Sequence, residues 1–357
     1  MMENKKDRNN LITLFNWYRL KRMNEFAAQC DKENAWITIQ EKIYTRKRMR
    51  LYRSWIGAAA MLLALLGTGF WYSYGDIDFF EQYKTDELFM QRGEQMAMLI
   101  ADDGSQYPLF SDDGSVVNEN GVEIATNMGK ELVYKVRSNL LRDAGNHLLD
   151  VPRGAEYRLE LTDGTHIHIN AQSRLSYPVI FNHRTREVNL QGEAYFEVAK
   201  DPQKPFIVHT VLGDIEVLGT KFNVSTYSND QVVVSLEEGS VRVSYSGMEQ
   251  ILSPGEQAII NHQSIDVKEV NLKNYTSWST GVYEYTNTSL ETIVNQLSRW
   301  YDVDIVFTDP QLGKRRFAGV IFRDQPLQHA VDILSKVSGV KFISRGKSIE
   351  IKDQRMN

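Results

Sequence analysis

The 357-residue sequence predicts a multi-domain fold: a short α-helical tail, one transmembrane helix, an all-β domain beyond it and a C-terminal α+β module. Three observations predict this. Residues 55–74 form a twenty-residue run without a charge. From about residue 92, short alternating apolar runs are separated by turn dipeptides, and after Trp278 helical spacing returns between strand-like runs.

The apolar run lies within "SWIGAAAMLLALLGTGFWYSYG", residues 54–75. At 1.5 Å per residue a helix from Trp55 to Tyr74 covers about 30 Å, the hydrocarbon thickness of a bilayer. Trp55 at one end and Trp71, Tyr72 and Tyr74 at the other supply the rings favoured at membrane interfaces. A cleaved signal peptide does not fit, because the run starts far from Met1 and aromatics follow it in place of small residues. Arg46, Lys47, Arg48, Arg50 and Arg53 precede the span, while Asp76, Asp78 and Glu81 follow it, which places the N-terminus in the cytoplasm. Residues 1–53 carry a net charge of +7 and the remainder −12, giving −5 in all. Topology accounts for the basic excess, so no nucleic-acid partner is expected.

In the tail, residues 1–53, Leu11, Leu14, Phe15 and Tyr18 recur at helical spacing, as do Trp36, Ile39 and Ile43. Two short amphipathic helices this small bury little surface alone, so their apolar stripes call for a partner. The single Cys30 lies here, and the rest of the chain has no disulfide to rely on.

A linker, 76–91, leads into the β domain, 92–275. Asp103-Gly104, Asp113-Gly114, Asn120-Gly121 and Asp163-Gly164 mark turns. "FIVHT", "DIEVLGTKFNVSTY" and "QVVVSLEEGSVRVSY" read as strand-length runs, with Gly239 at a tight hairpin in the last. "RGEQMAMLIADDGS" is echoed by "RGAEYRLELTDGT", which is consistent with a stacked β architecture. In the module, 278–353, "GVYEYT", a helix over "SLETIVNQLSRWY" capped by Ser289 and "DVDIVF" make one βαβ half. "FAGVIF", a helix opened by Pro326 and closed by Gly339, and "VKFIS" with "SIEIK" make a second. Such small units bind protein partners at sheet edges or helix faces.

The chemistry-bearing residues point away from catalysis. His166 and His168 share one face of a strand but have no third ligand nearby in sequence. Glu193 and Glu197 would stand roughly 13 Å apart on a strand, too far for a glycosidase pair, and read as solvent-facing. "GTK" at 219–221 lacks the phosphate-loop spacing. No cofactor or metal is expected, and the rival to a regulatory protein is a membrane-anchored scaffold or glycan-binding β protein with an aromatic platform.

"VPRGAEYRLELTDGT", "NAQSRLSYPVIF", "REVNLQGEAYFEVAKDPQKPFIV", "VLGTKFNVSTY" and "LSPGEQA", in that order, resemble the FecR-type sigma-factor regulators, and "LSRWYDVDIVF" with "FAGVIF" resembles the C-terminal module of the Bacteroidetes form. The resemblance covers 92–353. It implies an inner-membrane, single-pass anti-sigma factor whose β domain and module lie in the periplasm. Its expected partners are the periplasmic signalling domain of an outer-membrane TonB-dependent transporter and a cytoplasmic extracytoplasmic-function sigma factor. On this reading the Leu11, Leu14, Phe15, Tyr18, Trp36, Ile39 and Ile43 stripes are the sigma-binding candidates, and the tail is shorter than in many members. The resemblance also makes Gly219-Thr220 a candidate for self-cleavage, with the threonine hydroxyl attacking the preceding carbonyl.

Overall fold

The computed structural model describes residues 95–354 apart from 111–113, 115, 120–121, 135–144 and 182. The tail stripes, the membrane span from Trp55 to Tyr74 and the linker fall outside the described residues, among which no helix is long and apolar enough to cross a membrane.

The β domain builds two sheets by alternation. β1 (Gln95–Ile100) and β2 (Gln106–Phe110) form a hairpin in the first sheet; β3 (Val116–Glu119), β4 (Val122–Asn127) and β5 (Glu131–Tyr134) form a meander in the second. β6 (Asn146–Val151) returns to the first, β7 (Tyr157–Glu160) and β8 (His166–Ile169) go to the second, and β9 (Ser173–Pro178) and β10 (Arg186–Gln191) to the first. β11 (Glu193–Glu197), β14 (Lys221–Ser225), β15 (Gln231–Glu238), β18 (Glu256–Asn261) and β19 (Ile265–Glu269) complete the second sheet. β12 (Phe206–Thr210), β13 (Gly213–Val217), β16 (Val241–Tyr245) and β17 (Met248–Leu252) complete the first. Spatial order in both sheets follows chain order, except that β2 lies outside β1 at the starting edge. The pairings are antiparallel, save for β10 with β12 and β5 with β7.

Alternation along each strand sends one side chain in two inward. Val188 and Leu190 of β10, Val208 and Phe206 of β12, Ile167 and Ile169 of β8 and Phe222 and Val224 of β14 meet in one apolar core. Phe196 stacks on Phe222 with ring centroids 5.0 Å apart and meets Phe206 edge-on at 6.2 Å. The sequence echo corresponds to two hairpins with the same turn, one in each sheet. Ala101 N–H donates to Ser105 O at 2.9 Å and Leu161 N–H to Thr165 O at 2.9 Å, each around its Asp-Gly.

Two segments differ from the sequence reading. Gly239 does not close a hairpin: β15 and β16 belong to different sheets, and the glycine stands where the chain crosses between them. "DIEVLGTKFNVSTY" is likewise two strands, β13 and β14, joined by a crossing at Leu218-Gly219-Thr220. Apolar alternation continues through such a corner, so the period alone does not mark it.

A short helix, α1 (Lys273–Thr276), and a 3₁₀ turn, Ser277–Thr280, lead to the module. It runs β20 (Val282–Ser289), α2 (Leu290–Tyr301), β21 (Asp304–Phe307), β22 (Arg316–Phe322), α3 (Leu327–Ser338), β23 (Val340–Arg345) and β24 (Ser348–Asp353). Ser289 caps α2 by accepting from Thr292 N–H at 3.1 Å, and Gly339 closes α3 in the left-handed conformation. Leu290, Ile293, Val294 and Leu297 form the buried face of α2, as their spacing predicts. The two βαβ halves, however, do not close on themselves. β20 pairs antiparallel with β22, whereas β21 pairs parallel with β24, itself antiparallel to β23. Each helix packs against strands of both small sheets, so its apolar face is covered on two sides.

Candidate functional site

The functional candidate is the contact of the module with the outer face of the second sheet. It begins at β7 and β8. The turn after β6 presents Arg153, whose Nη1 pairs with Asp304 at 2.9 Å and whose Nη2 donates to Val303 O at 2.6 Å and Ser298 O at 3.1 Å. The carbonyls at the C-terminal end of α2 thus receive a cation, the favourable sign for that end of a helix. Gly154 N–H donates to Arg299 O at 2.9 Å. Asp302, which ends α2 with a left-handed φ of 51°, lies 3.5 Å from Arg153 Nε and 2.7 Å from Lys347.

Arg323, at the end of β22, is 5% exposed. Its Nη1 donates to Glu156 Oε2 and to Trp278 O, both at 2.7 Å, and its guanidinium lies 3.3 Å from the Trp300 ring centre. Such a planar cation over an indole gains from the ring quadrupole as well as from the pair. Glu156 also holds His168 Nε2 at 3.1 Å, and the His168 ring packs against Trp278 with centroids 4.9 Å apart. Trp278 in turn donates its Nε1–H to Asn223 Oδ1 at 3.0 Å. Arg299 lies 3.8 Å from the ring centre of Tyr227.

Below these sits Glu193, which is buried, contrary to the solvent-facing expectation. Its carboxylate accepts from Asn170 Nδ2 at 2.7 Å and Asn223 Nδ2 at 3.0 Å. Burial pushes its acid form up, opposed by the charge of Arg299, the two asparagine hydrogen bonds and the charge of Arg323. Glu197 does face solvent, where it pairs with Lys221 at 2.9 Å.

His168 gives the site a pH signature. Burial holds its imidazole below the usual 6.5 against the pull of Glu156, so the fold favours the neutral ring. That contribution is present above pH 6.5 and is lost as pH falls through the lowered folded value. Glu193, with its pKa raised, has the opposite sense: its contribution is complete below 4.5 and lost as pH rises through the raised value. Thermal melts of His168→Gln should therefore lack part of the native chain's fall in stability below pH 6.5. Parallel pH profiles for the two would show that His168 does not titrate with folding.

His166 lies on the same outward face of β8 but belongs to another group. One ligand atom from each of Glu131, Glu160 and His166 lies within 4.8 Å of the others, a set able to hold a metal ion. Glu160 and His166 are directly opposed across β7 and β8, and His166 Nδ1 is 3.9 Å from Glu131 Oε1. The sequence did not bring Glu131 and Glu160 to His166, because strand pairing does so.

Gly219-Thr220 forms the corner between β13 and β14. Thr220 is buried, and its hydroxyl donates to Ser240 O at 3.0 Å. Gly219 has φ +143°, and a Cβ there would stand 2.6 Å from Lys200 Cα. A glycine is needed on both counts.

Arg153, Glu156, Asn223, Trp278, Arg299, Trp300 and Arg323 were not singled out from sequence. The signal for Arg153, Glu156, Arg299 and Trp300 was there in the charged and aromatic positions of "VPRGAEY" and "LSRWYD", which alternation does not require.

A family model described as FecR protein matches residues 148–242, and one described as FecR, C-terminal matches residues 282–351. Two crystal structures of a candidate anti-sigma factor from Parabacteroides distasonis, each 30% identical with a TM-score of 0.53, cover 58% of this chain. The chain in turn covers 98% of one and 99% of the other. No curated protein matches the sequence.

Proposed function

Because the chain belongs to the FecR family of anti-sigma factors, we propose that it relays a signal across the inner membrane, from a TonB-dependent transporter to an extracytoplasmic-function sigma factor. The β domain and module face the periplasm, the tail faces the cytoplasm, and the span from Trp55 to Tyr74 joins them. The module receives the transporter's signalling domain and the junction with the sandwich passes the event on. The observation that carries this reading is the charge-rich contact of Arg153 with Asp304 and Asp302 and of Arg323 with Glu156, a contact suited to being changed. The glycan-binding alternative lacks support: among the described residues Phe110, 39% exposed, is the one large aromatic turned substantially to solvent.

The test is co-purification of the full chain with its sigma factor. Trp36→Ala with Ile43→Ala should weaken binding at least about 30-fold, the equivalent of one interface hot spot of about 2 kcal/mol. Undiminished binding by the double variant would remove the tail stripes as the sigma-contacting surface.

Self-cleavage at Gly219-Thr220 is a second activity proposed for the crossing between β13 and β14, favoured by the glycine-only backbone beside a buried hydroxyl. A denaturing gel of the native chain should show a break before Thr220 that Thr220→Ala abolishes. A native chain that stays in one piece ends this proposal.

A further inference from the structure

We infer that the contact between module and sandwich is a reversible latch, and that its opening, with the module itself staying folded, is the event passed on; this rests on the relay reading above. The apolar cores of the two parts are separate clusters, and Tyr195 is the sandwich side chain that joins the module's. The rest of the latch is the Arg153–Asp304 and Arg323–Glu156 ion pairs, the Arg299 cation over the Tyr227 ring, the Trp278 indole on His168 with its hydrogen bond to Asn223, and hydrogen bonds to main chain. Desolvating such ions nearly offsets their attraction, and both partners regain water when they part. Opening therefore sacrifices little of what holds either part together.

The closed state also carries a cost of its own. Arg323 Nε and Nη2 are buried without a hydrogen-bond partner. Opening would hydrate Arg323. It would also withdraw the charges of Arg299 and Arg323 from Glu193 and leave that carboxyl to its asparagines. Glu193 begins β11 at the centre of the second sheet, paired with β8 on one side and β14 on the other. The sandwich thus has an internal group whose environment differs between latched and open states.

A covalent lock tests this in the full-length protein in cells. A Cβ at Gly154 would stand 3.6 Å from Asp302 Cβ, within the span of a disulfide. Gly154→Cys with Asp302→Cys, once a non-reducing gel shows it cross-linked, should lose at least nine-tenths of the ligand-driven change in sigma-dependent transcription. Reduction should restore it, which separates the lock from damage to the fold. A fully cross-linked chain that responds like the native one overturns the latch. A native chain with no response overturns the relay reading instead, and the latch is then judged on the purified full chain by hydrogen exchange. Arg323→Gln and, separately, Arg153→Ala should speed exchange of the Gly154 amide at least tenfold while β22 and β24 keep native protection. Unchanged exchange at Gly154, or loss of protection throughout the module, would show a contact that does not open on its own.

Discussion

Arg186→Ala should lower the stability of the sandwich by about 3–5 kcal/mol, the cost of removing one partner from a buried ion pair. Arg186 is 1% exposed, at the start of a strand whose inward positions are otherwise apolar. Its Nη1 donates to Asp163 Oδ2 at 2.7 Å and Ala199 O at 2.9 Å, and its Nε donates to Lys204 O at 2.8 Å. The guanidinium also lies 5.5 Å from the Phe206 ring centre. The substitution leaves Asp163 with only the amide and hydroxyl of Thr165, and two carbonyls without these donors. It also leaves a void beside Phe206. Arg186→Lys keeps the charge without the fork and should fall between. Urea melts give the values, and a loss under about 1 kcal/mol would mean that water replaces the guanidinium at little cost.

Gly192→Ala should be comparably severe, about 3 kcal/mol or more once backbone strain and overpacking are combined. Gly192 carries the chain from β10 in one sheet to β11 in the other with φ +101°. A Cβ there would lie 2.3 Å from Ser173 Oγ and 2.6 Å from Ser173 Cα. Ser173 cannot simply turn away, because its hydroxyl accepts the Glu193 N–H at 2.9 Å, and the Gly192 N–H is tied to Thr226 Oγ1 at 2.7 Å. Gly164→Ala is the control: its Cβ meets nothing within 4 Å, so backbone strain alone applies, about 1 kcal/mol. Equal melting temperatures for the two variants would remove crowding at Ser173 as the cause.

The alternating runs and Asp-Gly turns made the all-β class legible, and the helical spacing of Leu290, Ile293, Val294 and Leu297 made α2 legible, because both signals are local. The choice of sheet was not local. Gly239 reads alike whether the chain turns back beside its own strand or crosses over, and the difference is decided by β13 waiting in the first sheet for β16. The pairing of β20 with β22 is a tertiary choice of the same kind. Glu193 misled for another reason. It alternates out of phase with Ala194 and Phe196, and an outward position on an antiparallel strand is normally wet, but here a second folded unit lies over it. The candidate site was therefore legible as motif residues and illegible as a contact, since Arg153 and Asp304 are joined only when the module closes over β7 and β8.

Strand order that follows chain order has a consequence for assembly. Once β1 and β2 have opened one sheet and β3 the other, every strand of the sandwich is laid against one already in place, and none has to be inserted between two earlier neighbours. The chain can therefore fold by accretion as it is synthesised, each added pair paying only a short loop closure. The edges of β16 and β18 stay open until β17 and β19 pair with them and end the two sheets. A chain stopped short of them would carry a bare edge ready to take up any extended segment it met.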